Sequence, residues 1–168
     1  MKNAVLLGIM ASGKTSAGKI LAKKLSFCFF DSDQLAEKIE GMSIKEIFEK
    51  KGEAYFRRLE KKVLSGLSKE KNAVIAAGGG AIKDGANVRA LKKNGVIVCL
   101  LSSPEAILKR TGKGRLRPLL NSGDRKEKVE TLIRERFPLY AKHADILLDT
   151  SKLTPKSTAE AVLGLLSY

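Results

Sequence analysis

Two short patterns bear directly on chemistry. Gly8-Ile9-Met10-Ala11-Ser12-Gly13-Lys14-Thr15 has the spacing G-x-x-x-x-G-K-[ST] of a phosphate-binding loop. Glycines let such a loop turn its N–H groups toward a polyphosphate, and the helix that follows adds its positive dipole end. The Lys14 ammonium then reaches the β and γ phosphates, and the Thr15 hydroxyl suits Mg²⁺. The second pattern, Asp31-Ser32-Asp33, offers one carboxylate to orient Mg²⁺ or its waters and another to accept a hydrogen bond from a substrate hydroxyl. An extended backbone sends both carboxylates to one side, whereas a helical start splays them. The same residues also suit a helix N-cap that needs no ligand.

Gly78-Gly79-Gly80 lets backbone N–H groups approach a ligand closely, or else forms a tight turn. Arg57 and Arg58 carry guanidinium forks that match carboxylates and phosphates in pairs. On one helix these neighbours diverge by about 100°, so only one of them faces a site. His143, the sole histidine, follows a helix-like segment and suits capping or solvation better than catalysis.

A strand and helix alternation must position these groups. Ala4–Leu7, Phe27–Phe30, Ala73–Ala77, Val96–Leu101 and Asp145–Leu148 are short apolar runs expected as buried strands. Helical period follows the phosphate loop through Ala17, Ile20, Leu21 and Leu25. It returns over residues 35–40, 44–50, 53–67, 88–93, 104–110, 126–140 and 155–166, with Ser43 and Glu46 spaced as a capping box. Residues 111–124, rich in Gly, Arg and Pro, read as a long loop of the kind that serves as a lid. Strands separated by helices predict a doubly wound α/β fold with a five-stranded parallel sheet covered on both faces. Right-handed crossovers then bring the phosphate loop, Asp31 with Asp33, and the triple glycine to one rim, where such folds bind ligands.

Composition narrows the function classes. The length suits one domain that needs no disulfide staples. Cys28 and Cys99 sit in apolar runs and are expected as buried core residues in a reducing compartment. No run approaches the about 18 apolar residues of a membrane span, and no secretory signal pattern is present, so the cytoplasm is expected. The formal charge of +14 fits either nucleic-acid binding or a solvated surface that attracts small anions. Acids interleaved with the lysines, few aromatics and the phosphate loop favour small anionic substrates, without nucleic acid or membrane as partner.

Beyond these motifs, the chain carries Gly41-Met42-Ser43-Ile44, Gly52-Glu53, Phe56-Arg57-Arg58-Leu59-Glu60, Arg117-Pro118-Leu119-Leu120, Arg136 with Pro138-Leu139-Tyr140, and Asp149-Thr150, in this order. Together with D-S-D and G-G-G, these resemble the shikimate kinase family over nearly the whole chain. The resemblance implies a three-layer α/β/α P-loop fold like that of nucleoside monophosphate kinases. Residues 1–168 would form a single domain, with a substrate-binding helical region at about 31–62 and a mobile lid at about 112–124. It implies transfer of the γ-phosphoryl group of ATP to the 3-hydroxyl of shikimate with Mg²⁺, on the route to chorismate and aromatic amino acids, by a monomer.

The resemblance also distributes roles. Gly8, Met10, Ala11, Ser12, Gly13, Lys14, Thr15 and Ser16 would hold the ATP phosphates, with Arg110 against the adenine. Thr15 and, through water, Asp31 would serve the metal. Asp33 would hold the substrate hydroxyls and act as base, while Arg57 and Arg136 clamp the carboxylate. Gly78, Gly79 and Gly80 would line the ring, Glu60 would orient Arg57, and Arg117 of the lid would reach the transferring phosphoryl group. Gly13-Lys14-Thr15-Ser16 departs from the family's G-K-S-T or G-K-T-T but keeps the metal hydroxyl, and Arg115 adds a second lid cation. Two other readings stand beside this one: another small-metabolite kinase of the same fold, such as a gluconate kinase, and a non-catalytic nucleotide- or nucleic-acid-binding module.

Overall fold

The computed structural model describes residues 2–111 and 125–166. Five parallel strands, β1 (Asn3–Leu7), β2 (Cys28–Asp31), β3 (Ala73–Ala76), β4 (Gly95–Leu101) and β5 (Ile146–Asp149), form one sheet in the order β2-β3-β1-β4-β5. β1 lies at its centre, with Val5 level with Ile75 on β3 and with Ile97 on β4. Side-chain alternation along β1 divides the interior into two cores. Val5 and Leu7 join Ile75, Ile97 and Cys99 beneath Ile47, Phe56 and Leu64 of α3 (Ile44–Leu67), Leu91 of α4 (Gly85–Asn94), Ile107 of α5 (Pro104–Thr111) and Val129 of α6 (Arg125–His143). Ala4 and Leu6 face the other way with Val74, Val98 and Leu100. They pack on Ala17 and Leu21 of α1 (Lys14–Leu25) and on Ala159 and Val162 of α7 (Pro155–Leu166). The architecture is the expected three-layer α/β/α sandwich.

Local sequence accounts for the elements nearest the site. α2 (Ser32–Glu40) starts earlier than its apolar period suggests, because the Asp31 carboxylate accepts from the N–H groups of Asp33 and Gln34 and caps the helix. Ser43 and Glu46 close the expected capping box at the start of α3. The Ser43 backbone N–H and hydroxyl hold the Glu46 carboxyl down at about 2. The two helices read on either side of residue 52 meet within α3 at a kink, where Gly52 takes the non-helical φ 80° and ψ 167°, a conformation that a side chain disfavours. Glu40, the last residue of α2, accepts from both Lys51 and Tyr55, one on each side of that bend. His143 ends α6 among the basic residues of its last turn, as its sequence position suggests. Among the described residues, no helix is long and apolar enough to cross a membrane.

The two cysteines differ, which corrects the expectation that both are core residues. Cys99 is buried in β4, but Cys28 is exposed because it opens the edge strand β2, whose side chains have a neighbouring strand on one side only. Burial, reinforced by Asp145, pushes the Cys99 thiol up to about 12. At pH 8 that leaves a thiolate fraction of about one in ten thousand. An aromatic disulfide reagent is therefore expected to titrate one thiol rapidly in the native protein and both in denaturant. Rapid reaction of both thiols before unfolding contradicts this packing.

Candidate active site

A cleft of about 680 Å³ opens where β1, β2 and β3 end, a size suited to small-molecule ligands. Met10, Ala11, Gly13, Lys14, Thr15 and Ser16 line one part of it, and Asp31, Asp33, Arg57, Gly78 to Gly80, Arg110 and Arg136 line the rest. Gly8 and Ser12 of the phosphate loop are buried and do not line the cleft wall. A Cβ on Gly8 would come within 2.7 Å of the Ser12 hydroxyl oxygen. Arg117 falls outside the described residues. Arg58 is exposed, with its guanidinium over the Tyr55 ring, so of the adjacent pair Arg57 alone faces the cleft.

The phosphate loop closes onto α1 without a side-chain cap. Gly13 occupies the N-cap position in the left-handed region at φ 94°, and no acidic residue sits in the first turn. The first N–H groups of α1 and its positive dipole end are thus presented to an anion. Lys14 Nζ rests on the carbonyls of Gly8 and Ile9 at 2.8 and 2.9 Å, spanning the loop. Thr15 Oγ1 donates to Asp31 Oδ2 at 2.8 Å, while Asp31 Oδ1 accepts from the Asp33 N–H at 3.0 Å. Asp31 thus caps α2 through one oxygen and accepts from Thr15 of the phosphate loop through the other. With the helix beginning at Ser32, the two carboxylates of D-S-D are splayed: Asp31 toward the phosphate loop and Asp33 toward the triple glycine.

The triple glycine is a floor on which charged side chains converge. A Cβ on Gly78 would lie 2.6 Å from Asp33 Oδ1 and 2.9 Å from Glu60 Oε1, and one on Gly79 would lie 3.0 Å from Arg136 Nη1 and 3.1 Å from the Gly8 carbonyl oxygen. A Cβ on Gly80 would collide with the Arg57 guanidinium. What these positions require is the absence of a side chain, more than conformational freedom. Ser32 contributes as well: it is buried, and its hydroxyl accepts from the Gly78 N–H at 2.9 Å. Sequence reading gave this serine no partner, because the partner lies 46 residues away.

Arg57 is fixed by Glu60 at 2.9 Å and Glu53 at 3.0 Å. Burial works against its charge, but Glu60 and Glu53 outweigh it and hold the guanidinium above its ordinary pKa. Arg136 is buried on α6 and donates through Nη1 to the Gly79 carbonyl, while its buried Nε has no hydrogen-bond partner among the described residues. A buried guanidinium N–H left unpaired is costly, and Arg136 lines the cleft beside Gly79. The Tyr140 hydroxyl also reaches Gly79 O at 3.4 Å, and burial pushes its pKa up to about 12, which keeps it a neutral donor. The cleft wall further includes Ile44, Phe48 and Phe56, apolar residues of α3 to which the sequence reading gave no role in a site.

Comparison with known proteins agrees with this geometry. A family model for shikimate kinase matches residues 10–167. The shikimate kinase of Thermoanaerobacter pseudethanolicus is 46% identical over 163 residues, covering 97% of this chain and 95% of that protein. That of Caldanaerobacter subterraneus subsp. tengcongensis is 47% identical over 163 residues, covering 97% and 95%. Among solved structures, shikimate kinase from Acinetobacter baumannii in complex with shikimate aligns with a TM-score of 0.94 at 38% identity, over 99% of this chain and 93% of that one. Matched over nearly its full length in sequence and in fold, the chain belongs to the shikimate kinase family.

Proposed function

We infer that the protein is an ATP-dependent shikimate kinase, which transfers the γ-phosphoryl group to the 3-hydroxyl of shikimate and releases ADP. One observation carries this reading: a single cleft holds a phosphate loop together with two arginines and a carboxylate gathered on a glycine floor. A nucleotide alone needs the first part only. The second part suits a small polyhydroxy carboxylic acid, with Arg57 and Arg136 for its carboxylate and Asp33 for its hydroxyls. A gluconate-type kinase would also meet a carboxylate here, so turnover with that acceptor is the natural control.

In the proposed reaction Asp33 accepts the proton of the attacking hydroxyl as its oxygen bonds to the γ-phosphorus and the bond to the ADP oxygen breaks. Positioning and charge neutralisation do most of the work in such transfers. Lys14 and the N–H groups at the start of α1 meet the phosphate charge. Arg110 stands at the nucleotide end of the cleft, and Arg117, outside the described residues, would reach the transferring group. Thr15 and Asp31 offer only oxygen donors 2.8 Å apart, which fits Mg²⁺ bound mainly through the nucleotide. Those two residues would hold the ion, Asp31 through water, and the ion would neutralise charge between the β and γ phosphates.

The same reading takes one chain as the working unit, with the phosphate loop and the arginine-lined floor both drawn from this chain. Residues 31–62 form its substrate region and 112–124, outside the described residues, its lid. A cytoplasmic location belongs to this proposal, supported by two cysteines that remain free thiols.

Mg²⁺-dependent ADP release is expected with shikimate and not with gluconate or without an acceptor. Equal release with gluconate, or none with any acceptor, contradicts the assignment. Asp33→Asn is expected to keep ATP affinity within about twofold while kcat falls by about 10²-fold or more, since general-base help is of that order. Turnover near the parent's removes Asp33 from the mechanism.

A further inference from the structure

A phosphate loop that turns its N–H groups toward a ligand directs its carbonyls elsewhere, and those carbonyls need donors. Here four of them have side-chain partners. Lys14 serves Gly8 and Ile9. The other two, Ala11 and Ser12, are served from outside the loop. Arg110 Nη1 donates to Ala11 O at 3.2 Å and to Ser102 Oγ at 3.0 Å, and the Thr150 hydroxyl shares its one proton between Ser12 O at 3.2 Å and Leu101 O at 2.8 Å. The second arm of Arg110 donates to the carbonyls of Thr150 and Leu153, and Ser102 Oγ lies 2.8 Å from Thr150 Oγ1. Ser102 and Thr150 are buried, while Arg110 covers them from the solvent side. Ala11 adopts φ 56°, a left-handed conformation unfavourable for a residue with a Cβ, at the point where Arg110 grips the loop.

We propose that Arg110, Ser102 and Thr150 form a bracket that holds the phosphate loop in its binding conformation from behind, so that Arg110 and Thr150 are positioning residues for the triphosphate in addition to any contact Arg110 makes with the base. The bracket ties the loop after β1 to the loop after β5, joining the phosphate and base ends of the nucleotide site before a ligand arrives. Each donor removed frees one carbonyl of the loop and one conformational choice at Ala11 or Ser12. The cost then falls on phosphate binding itself.

This inference rests on the reading of the cleft as an ATP site, and inorganic tripolyphosphate, which has no base, separates the two. Calorimetric titration with ATP and with tripolyphosphate is made on the parent, Arg110→Ala, Thr150→Val and Thr150→Ser, with shikimate titrated in parallel. Tripolyphosphate affinity is expected to fall about tenfold in Arg110→Ala and about fivefold in Thr150→Val, as for loss of one or two hydrogen bonds. Thr150→Ser, which keeps the hydroxyl, is expected to bind as the parent does, and shikimate affinity to stay within about twofold throughout. Loss of ATP affinity in Arg110→Ala with tripolyphosphate affinity unchanged overturns the bracket and leaves Arg110 a base contact only. Equal losses in Thr150→Ser and Thr150→Val also overturn it, since the hydroxyl is then not what acts. A parent that binds neither ligand overturns the kinase reading, and the bracket with it.

Discussion

Asp33, Glu60 and Arg57 approach the end of β3 closely enough that a Cβ at Gly78 or Gly80 would collide with at least one of them, and a Cβ at Gly79 would press on Arg136 at 3.0 Å. That close approach is the constraint on which the rest of the site depends. It requires β3 to lie between β1 and β2, so that the floor adjoins both the phosphate loop and the start of α2. It also requires the bend at Gly52, after which α3 carries Phe56, Arg57 and Glu60 along one side of the cleft. The Gly79 backbone lies against the Gly8 carbonyl, so the phosphate loop and the arginines on the glycine floor are neighbours, as the proposed transfer between two ligands needs.

The charges are arranged so that few are left for the protein to satisfy alone. Glu60 is almost fully buried and is matched by Arg57, which is itself one-third exposed, so the pair keeps Arg57 in place without consuming all of its donors. A fully buried pair loses about 3–5 kcal/mol when one partner is removed, and partial exposure of Arg57 reduces that figure here. Arg136 keeps a buried donor with no partner among the described residues, a costly arrangement beside the cleft. Asp31 joins the two halves by using one oxygen for Thr15 and the other for the first turn of α2. Asp31 thereby links the phosphate loop to the helix that carries Asp33.

Much of this was legible in the chain because it is local. The phosphate loop, the D-S-D acids, the Ser43 capping box and the five strands are set by residue type and short-range spacing, and each lies within a residue or two of its expected place. The long-range partnerships were not legible. Ser32 meets Gly78 across 46 residues, and Thr150 meets Ser12 across 138, distances at which spacing says nothing without the sheet order. Strand order also decided the one clear misreading: an apolar run around Cys28 looks like core until β2 proves to be an edge. Ile44, Phe48 and Phe56 keep helical core period although they also line the cleft, because an apolar wall and a core face obey the same period. Arg117 and the lid expected at 112–124 lie outside the described residues.

The central claim is that Arg57 and Arg136 on the glycine floor select an acceptor by its carboxylate. Steady-state kinetics with shikimate and its methyl ester test this directly, because the ester keeps every ring hydroxyl and removes only the charge. The predicted result is a KM for the ester raised at least about tenfold, the loss expected when a charge-assisted pair is removed. Equal KM and kcat for acid and ester would contradict the account and leave the two arginines without the role their geometry gives them.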